Sequence, residues 1–114
     1  MTIKLMLFKT GETVISDAKE VVSEDQNVRG YLLKNPQIVR TQEKAVLMES
    51  QTKNSNYELD VMLTPWMILS TDKEYVVSAD YVATICEPLQ SVREMFLNKI
   101  EPPTPLSETE VVNG

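Results

Sequence analysis

The stretch that decides the fold is YVVSADYVATIC, residues 75–86. It contains two short apolar runs on either side of a polar turn at residues 78–80, and both runs are rich in the β-branched and aromatic residues that favour strands. Because each run is apolar on both faces, we expect a barrel interior on one side and a partner, or the chain's own helix, on the other. The stretch is therefore predicted to close a small β-barrel.

The residues before this stretch also alternate in the manner of strands. Residues 57–63 do so most cleanly, with Leu59, Val61 and Leu63 on one face. Ser16-Asp17 predicts a bend or bulge, and Asn35-Pro36 predicts an interruption, because proline cannot donate a hydrogen bond to the sheet. The other predicted strand segments are residues 3–8, 13–22, 29–34, 37–40 and 45–50, and residues 51–56 are predicted to form a mobile loop. Together they indicate an antiparallel, partly open barrel with five strand regions.

A helix is predicted at the end of the folded region. Pro88 marks its start, and Leu89, Val92, Phe96 and Ile100 recur at helical spacing on one face. The prolines of residues 102–105 end it, and the residues from 101 onward have the composition of a disordered, acidic tail. The predicted organisation is one β-barrel domain over residues 1–88, an amphipathic helix over residues 89–100 and a tail over residues 101–114.

Composition narrows the classes of function. The chain has 114 residues and a net charge of -6, of which the last fourteen residues carry half, so the folded part is only mildly acidic. That argues against a strong, sequence-independent grip on a nucleic-acid backbone. The single cysteine, Cys86, allows no internal disulfide, fits a reducing compartment and is predicted to be a buried apolar residue in a strand. With no signal or membrane segment in the sequence, we expect a cytoplasmic protein that does not enter a membrane.

No catalytic pattern is found in the sequence. The chain has no histidine, and it lacks a phosphate-binding glycine loop, a dinucleotide fingerprint, zinc-ligand spacing and a nucleophile elbow. Its acidic pairs lie in predicted turns, where they fit solvated loops better than a metal site. We therefore expect a protein that is not an enzyme and that uses neither a cofactor nor a metal.

Several segments resemble the motifs of the Sm and Sm-like family, which includes bacterial Hfq. GYLLKNPQIV, residues 30–39, resembles the first motif, in which a glycine and an apolar strand precede a polar turn and another apolar strand. SADYVATI, residues 78–85, resembles the second motif, and TGETV, residues 10–14, resembles the start of the first barrel strand. Pro65-Trp66 and Cys86-Glu87-Pro88 look most like the Sm-like proteins of marine phages (cyanophages). The resemblance covers residues 3–88.

The resemblance implies a strongly bent five-stranded barrel that assembles into a homo-oligomeric ring of roughly five to seven subunits. In such rings strand four of one subunit pairs with strand five of the next, and single-stranded RNA binds at the pore through the two motif turns. For a phage protein it implies the host-cell cytoplasm. The expected RNA contacts are Lys34, Asn35, Gln37, Ser78, Asp80 and Tyr81. The expected oligomer interface comprises Leu59, Val61, Leu63, Trp66, Val76, Val77, Val82 and Ile85.

Plainer interpretations stay open beside these. The residues around Pro36 also suit an ordinary polar turn, Tyr81 a half-buried edge tyrosine, and Trp66 a core or interface residue. The family's Arg-Gly is replaced here by Ser78-Ala79, followed by an acid, and the helix follows the barrel instead of preceding it. The missing Arg-Gly and the mild net acidity favour the alternative function, a structural or adaptor oligomer that binds protein partners and has lost RNA binding.

Overall fold

The computed structural model describes residues 1–45 and 57–100, and the side chains of residues 43–45 and 57–59 lie outside that description. The described chain forms a six-stranded antiparallel sheet and one C-terminal helix, so the mainly β fold predicted from the sequence is confirmed. The predicted loop at residues 51–56, the tail from residue 101 and most of the predicted strand at residues 45–50 lie outside the described residues. The strands are β1 (Ile3–Phe8), β2 (Thr13–Val22), β3 (Val28–Ala45), β4 (Tyr57–Pro65), β5 (Glu74–Ser78) and β6 (Val82–Cys86), and the helix is α1 (Gln90–Ile100).

The deciding stretch forms two strands, which raises the strand number from the expected five to six. A single 3₁₀ turn, Ala79–Tyr81, separates β5 from β6, and the hydroxyl oxygen of Ser78 caps it by accepting from the Asp80 amide at 3.2 Å. The hydrogen-bonded order is β4-β3-β2-β1-β6, with β5 also paired to β3. β5 and β6 therefore lie on opposite sides of the central strands.

This order requires a strongly curled sheet. Four strand spacings separate β5 from β6 through β3, β2 and β1, which is about 19 Å on a flat sheet. The three-residue link between them spans at most about 14 Å. Val77 of β5 and Val82 of β6 accordingly pack in the same core as Phe8. β5 and β6 do not pair with each other, so the sheet is open, and the predicted closure of a barrel by this stretch is wrong.

β3 continues through Asn35-Pro36, where an interruption was predicted. Asn35 and Pro36 together lie opposite Ser16 alone, so they form a bulge. Because a bulged residue is left out of the regular pairing, the proline, which has no amide hydrogen, costs the sheet no hydrogen bond there. Asn35 takes the left-handed conformation with φ 54°, which asparagine tolerates better than most residues. The Ser16 hydroxyl donates to the Lys34 carbonyl at 2.9 Å. The bend or bulge predicted at Ser16-Asp17 corresponds to this register shift, but the extra residue lies in β3 and not in β2.

Apolar side chains form one cluster on each face of the sheet. Neighbouring β2 residues Val14 and Ile15 belong to different clusters, as the alternation of a strand requires. The cluster inside the curl contains Met6, Phe8, Val14, Ala18, Leu33 and Val77, and the outer cluster contains Ile3, Ile15, Leu63 and Phe96. The curl therefore encloses one core, and α1 covers the other.

The helix packs through the predicted face, with one exception. Phe96 is fully buried, and Val92 and Ile100 pack beside it. α1 begins at Gln90, so Leu89 lies outside it and is exposed, and its carbonyl accepts from the Arg93 amide at 2.9 Å. Within residues 1–45 and 57–100, no helix is both long enough and apolar enough to cross a membrane.

The helix does not cover the deciding stretch. α1 contacts β4, while β6 keeps an exposed outer surface. Cys86 lies on that surface, so its predicted burial is wrong. Only the face of β6 that points into the curled sheet is covered, because the single helix of the described chain packs near β4, at the other end of the sheet.

Candidate functional site

The candidate site lies where β3 bends, opposite the connection between β4 and β5. Two backbone hydrogen bonds hold this connection against the bend. The Trp66 amide donates to the Pro36 carbonyl at 3.0 Å, and the Asn35 amide donates to the Lys73 carbonyl at 2.7 Å. Because the two bonds fix both ends of the connection, a cleft forms between it and the bulged strand.

We call this space the bend cleft. Its volume is about 170 Å³. Residues from the bulge form one side, and residues from the connection and the start of β5 form the other. The side chains used below are Asn35, Gln37, Trp66, Asp72, Lys73 and Tyr75. The cleft therefore combines side-chain amides, two aromatic rings and a pair of opposite charges.

Trp66 is a fixed wall of the bend cleft. Its ring centroid lies 5.5 Å from that of Phe8 and 5.9 Å from that of Tyr75, the latter in an edge-to-face arrangement. Its indole Nε1 donates to the Glu12 carboxylate at 3.2 Å. Aromatic contacts of this geometry stabilise a ring beyond the area that it buries. Trp66 is half-buried and packs against the cluster that contains Phe8, and its ring also lines the cleft.

Gln37 has an incompletely bonded side chain. The residue is only 7 % exposed, and its Oε1 has no hydrogen-bond partner among the described residues. Its Nε2 donates to the Asn35 carbonyl at 3.4 Å, which is longer than the usual range for such bonds. Buried side-chain amides are normally bonded at both ends. Among the residues that the structure describes, the bend cleft therefore has one buried acceptor without a donor.

The charges around the bend cleft are balanced. Asp72 and Lys73, both exposed, supply one negative and one positive side chain to its lining. Nearby, the Lys34 ammonium lies 3.9 Å from the Glu74 carboxylate, an exposed pair that contributes little to stability. A cleft with no excess of either charge suits a neutral ligand better than a phosphate.

The structure divides the six predicted RNA contacts into two groups. Lys34, Asn35 and Gln37 lie at the β3 bend, whereas Ser78, Asp80 and Tyr81 lie at the 3₁₀ turn. In the β3–β5 ladder Lys34 pairs with Glu74, and Ser78 pairs with Gly30. Four residues of strand separate these pairs, which is about 13 Å. Within one subunit, three of the six residues lie at the β3 bend and the other three lie at the 3₁₀ turn. An RNA pocket made by all six residues stays a prediction.

The side chain of Tyr81 packs partly against the chain's own core. Its ring centroid lies 4.7 Å from that of Phe8, and its hydroxyl is 3.3 Å from the Thr10 hydroxyl. The side chain is half-buried, so part of its surface remains accessible. The interpretation as a half-buried edge tyrosine is confirmed, and a stacking role would use only the remaining surface.

The predicted interface residues differ in exposure. Leu63 and Val77 are buried in the chain's own cores, and the side chain of Leu59 lies outside the described residues. Val76 is 67 % exposed. The remaining four, Val61, Trp66, Val82 and Ile85, are half-buried and pack against the two clusters. Their role between subunits stays a prediction.

Sequence reasoning missed the apolar tip of the β4–β5 connection. Met67, Ile68 and Leu69 follow Trp66 and are all exposed, Leu69 at 99 %. The signal in the sequence is the apolar run of residues 66–69 directly before the polar turn residues 70–73. Tyr75 was also missed as a cleft residue. No cluster of acidic or cysteine side chains in the described ranges has the arrangement of a metal site.

A family model matches residues 1–101, which is most of the chain. The chain belongs to DUF6561, a family of unknown function. No curated protein matches it. For this DUF6561 chain, any assignment of function therefore depends on its own residues and geometry.

Proposed function

We propose that the protein is a non-catalytic, ring-forming Sm-like protein that binds single-stranded RNA. It would act in the cytoplasm, and for a phage protein in the cytoplasm of the host cell. The observation that supports this proposal most is the open sheet, whose two terminal strands, β4 and β6, each have one unpaired edge among the described strands. The resemblance of residues 30–39 and 78–85 to the two motifs of the Sm-like family supports the proposal as well.

Unpaired strand edges favour assembly with further copies. β4 and β5 pair only with β3, and β6 pairs only with β1, among the described strands. Free edges of this kind present amides and carbonyls that another strand can pair with, and natural proteins usually protect them with lysine or proline. Here β5 carries the exposed Val76 instead. Because β4 and β6 lie at opposite ends of the sheet order, pairing one with the other in the next copy is heterologous and can close into a ring.

The RNA half of the proposal depends on side chains that can contact bases. Asn35 and Gln37 provide amides at the bend, and Tyr81 provides a partly accessible ring at the turn. Proteins recognise single-stranded RNA by stacking and by hydrogen bonds to base edges. Residues 1–100 carry a net charge of only -3, with 14 acidic and 11 basic residues. Binding through bases instead of phosphates predicts a weak dependence of affinity on salt.

Assembly is tested by size-exclusion chromatography with light scattering. We expect a single oligomer of defined subunit number for the unaltered protein. Met62→Lys should reduce the mass toward that of a monomer, because Met62 is 55 % exposed on β4, one of the two strands proposed to pair, and a lysine on an edge strand opposes pairing. Val22→Lys is the control, since Val22 is an exposed apolar residue on the inner strand β2. A compact monomer at high concentration of the unaltered protein would refute the ring.

RNA binding is tested with labelled oligo-U and oligo-A at low salt. Asn35→Gly removes the amide and keeps the left-handed backbone, because glycine adopts that conformation freely. We expect it to weaken binding, whereas Asn98→Ala, at an exposed helix position, should not. Absence of any shift with both oligonucleotides removes the RNA half and leaves the assembly half standing.

The second candidate function is an adaptor oligomer that binds protein. The exposed Met67, Ile68 and Leu69 favour it, because contiguous exposed apolar side chains mark protein contacts. Here we expect a stoichiometric protein partner without copurifying nucleic acid, and Leu69→Asp should release that partner. If the purified protein instead carries nucleic acid and no partner, the adaptor function is refuted.

A further inference from the structure

β3 has an unpaired edge of its own, distinct from the β4 and β6 edges that the proposed ring uses. β2 pairs with β3 only as far as Val14 opposite Ile38, because β2 begins at Thr13, directly after the turn that joins it to β1. β3 runs on to Ala45, paired with β4 on its other side. From Val39 to Ala45, the side of β3 that faces the track of β2 has no partner among the described strands. We call this side the free edge of β3.

The free edge offers main-chain groups with which an extended segment can pair. Every second residue of a strand directs its N–H and C=O to the same side, so an unpaired run of several residues presents a row of donors and acceptors. A segment that pairs there continues the track of β2 and adds one strand to this part of the sheet. In binding of this kind, main-chain hydrogen bonds give the affinity and the neighbouring side chains give the selectivity.

Two adjoining hollows lie along the free edge. One, of about 370 Å³, lies between the β1–β2 turn and residues 38–41. The other, of about 310 Å³, lies over residues 40–42 and the neighbouring part of β4. Both are lined by Arg40 and Thr41. An added strand lies beside these two residues, so the space for it is already present.

This part of β3 and its partner β4 are covered on one face only. Val39 and Leu63 pair across the ladder and pack in the outer cluster, which α1 covers. Arg40 and Met62 are the next pair, so they lie on the opposite face, and both are exposed. Alternate side chains of an added strand therefore lie next to Arg40 on the open face.

Arg40 determines the chemical preference of the free edge. Among the described side chains it forms no ion pair. Glu12, in the same hollow, already accepts from the Trp66 indole. Asp60 lies on β4, which is on the side of β3 away from the free edge. A carboxylate opposite Arg40 on an added strand places the two Cβ atoms roughly 5 Å apart, where opposite charges stabilise pairing.

We infer that the free edge of β3 binds an extended acidic peptide segment of a protein partner. The segment pairs with residues 39–45 as an added strand and places a carboxylate opposite Arg40. The inference needs neither the ring nor RNA, and it rests on the adaptor candidate only for the source of the peptide. It names a surface separate from the apolar residues 67–69 of the β4–β5 connection.

The test measures the fluorescence anisotropy of labelled peptides of about eight residues as the full chain is added. Glutamate alternates with valine in the first peptide, and lysine replaces glutamate in the second. The unaltered protein should bind the glutamate peptide more tightly, although its net charge of -6 by itself favours lysine. Arg40→Glu should weaken the glutamate peptide about tenfold and strengthen the lysine peptide, because attraction at one cross-strand pair becomes repulsion. Lys99→Glu makes the same change of charge at an exposed position of α1 and should leave both affinities unaltered.

Methylation of the peptide nitrogens tests the main-chain pairing. In an added strand, the amides of the glutamates face one edge and those of the valines face the other. One methylated set should therefore abolish binding, and the other should be tolerated. Equal effects of the two sets would overturn the inference, because contacts of side chains alone do not distinguish the two edges.

The remaining outcomes separate this inference from the proposed functions. Selective binding of the glutamate peptide that Leu69→Asp leaves unaltered supports the free edge, even if the protein is a monomer and no oligo-U shift is seen. The inference is overturned if neither peptide binds or both bind alike. In that case, an oligo-U shift that Arg40→Glu abolishes assigns the edge to RNA, and a mass that Arg40→Glu lowers assigns it to a second copy. The peptide comparison uses the unaltered protein, so it decides whether or not the variants fold.

Discussion

Asn35 and Gly30 are the two residues whose conformation or size shapes β3 most directly. Asn35, at φ 54°, allows the strand to pass Pro36 without losing its pairing on either side. Gly30 lies where β5 approaches closely, and a side-chain carbon there would be 2.5 Å from the Val77 carbonyl oxygen. One residue bends the strand, and the other allows β5 to pair along its first half.

Gly30→Ala should destabilise the protein. The added carbon meets backbone atoms, which cannot move aside as a flexible side chain can, so we expect a loss of about 1–3 kcal/mol in the free energy of unfolding. Urea denaturation measures it. Thr41→Ala, at an exposed position of β3, is the control and should change the free energy by less than about 0.5 kcal/mol. Equal stability of Gly30→Ala and the unaltered protein would contradict the close approach.

The turn between β2 and β3 contains a carboxyl group with a perturbed pKa. The Ser23 hydroxyl donates to Asp25 and holds the pKa of that carboxyl below its ordinary value of 3.8, against a smaller opposing effect of desolvation. Since the folded-state pKa is the lower one, the turn's stabilisation is present above pH 3.8 and is lost as the pH falls through the folded value.

Ser23→Ala should raise the pKa of Asp25 toward 3.8, because its strongest hydrogen-bond donor is removed. An NMR titration of the carboxyl carbons measures the change. Ser91→Ala, at an exposed position in α1, should leave the Asp25 pKa where it is. A pKa that does not move in Ser23→Ala would show that the other hydrogen bonds of the turn suffice.

At the scale of elements, α1 depends on one buried side chain. Phe96 is fully buried against Ile3, Ile15 and Leu63, whereas Leu89, predicted for the same face, lies before the helix and is exposed. The helix contacts mainly β4. Its attachment to the outer face of the sheet therefore rests on the central turns of the helix and not on its first residue.

Phe96→Ala should lower the free energy of unfolding by about 3–5 kcal/mol, because it removes a large side chain from a packed cluster. Leu89→Ala is the matched control, and a change below about 0.5 kcal/mol is expected for an exposed side chain. Thermal or urea denaturation followed by circular dichroism measures both. Equal effects of the two substitutions would contradict the position of α1.

At the scale of the whole molecule, the arrangement of edges determines which assemblies are open to the chain. The curl brings β5 and β6 toward one another without pairing them, and β4 and β6 end the sheet order. Strand edges at opposite ends of one sheet allow each copy to contact two neighbours. A closed ring pairs the β4 and β6 edges of every copy, whereas an open chain of copies leaves one β4 edge and one β6 edge unpaired.

The proposed ring predicts a specific cross-linking pattern. Met62 of β4 and Cys86 of β6 are both exposed, so Met62→Cys places one thiol near each proposed edge. Oxidation should give a ladder of linked subunits that ends at the ring size, measured on a denaturing gel. Met67→Cys, in the β4–β5 connection, is the control and should give no such ladder. A ladder that continues without an end point would indicate a filament instead of a ring.

The sequence by itself determined the strand and helix content, because alternation and helical spacing are local patterns. The helix face of Val92, Phe96 and Ile100 follows from it and is confirmed. The broken alternation at Ser16-Asp17 indicated the register shift there, although the bulge itself lies in β3. Only the tertiary structure decided that β3 continues past Pro36 and that Cys86 is exposed. It also decided that Gln37 is buried with no donor to its Oε1 within residues 1–45 and 57–100. Each of these depends on which distant strand or loop lies opposite the residue, and local periodicity carries no information about that.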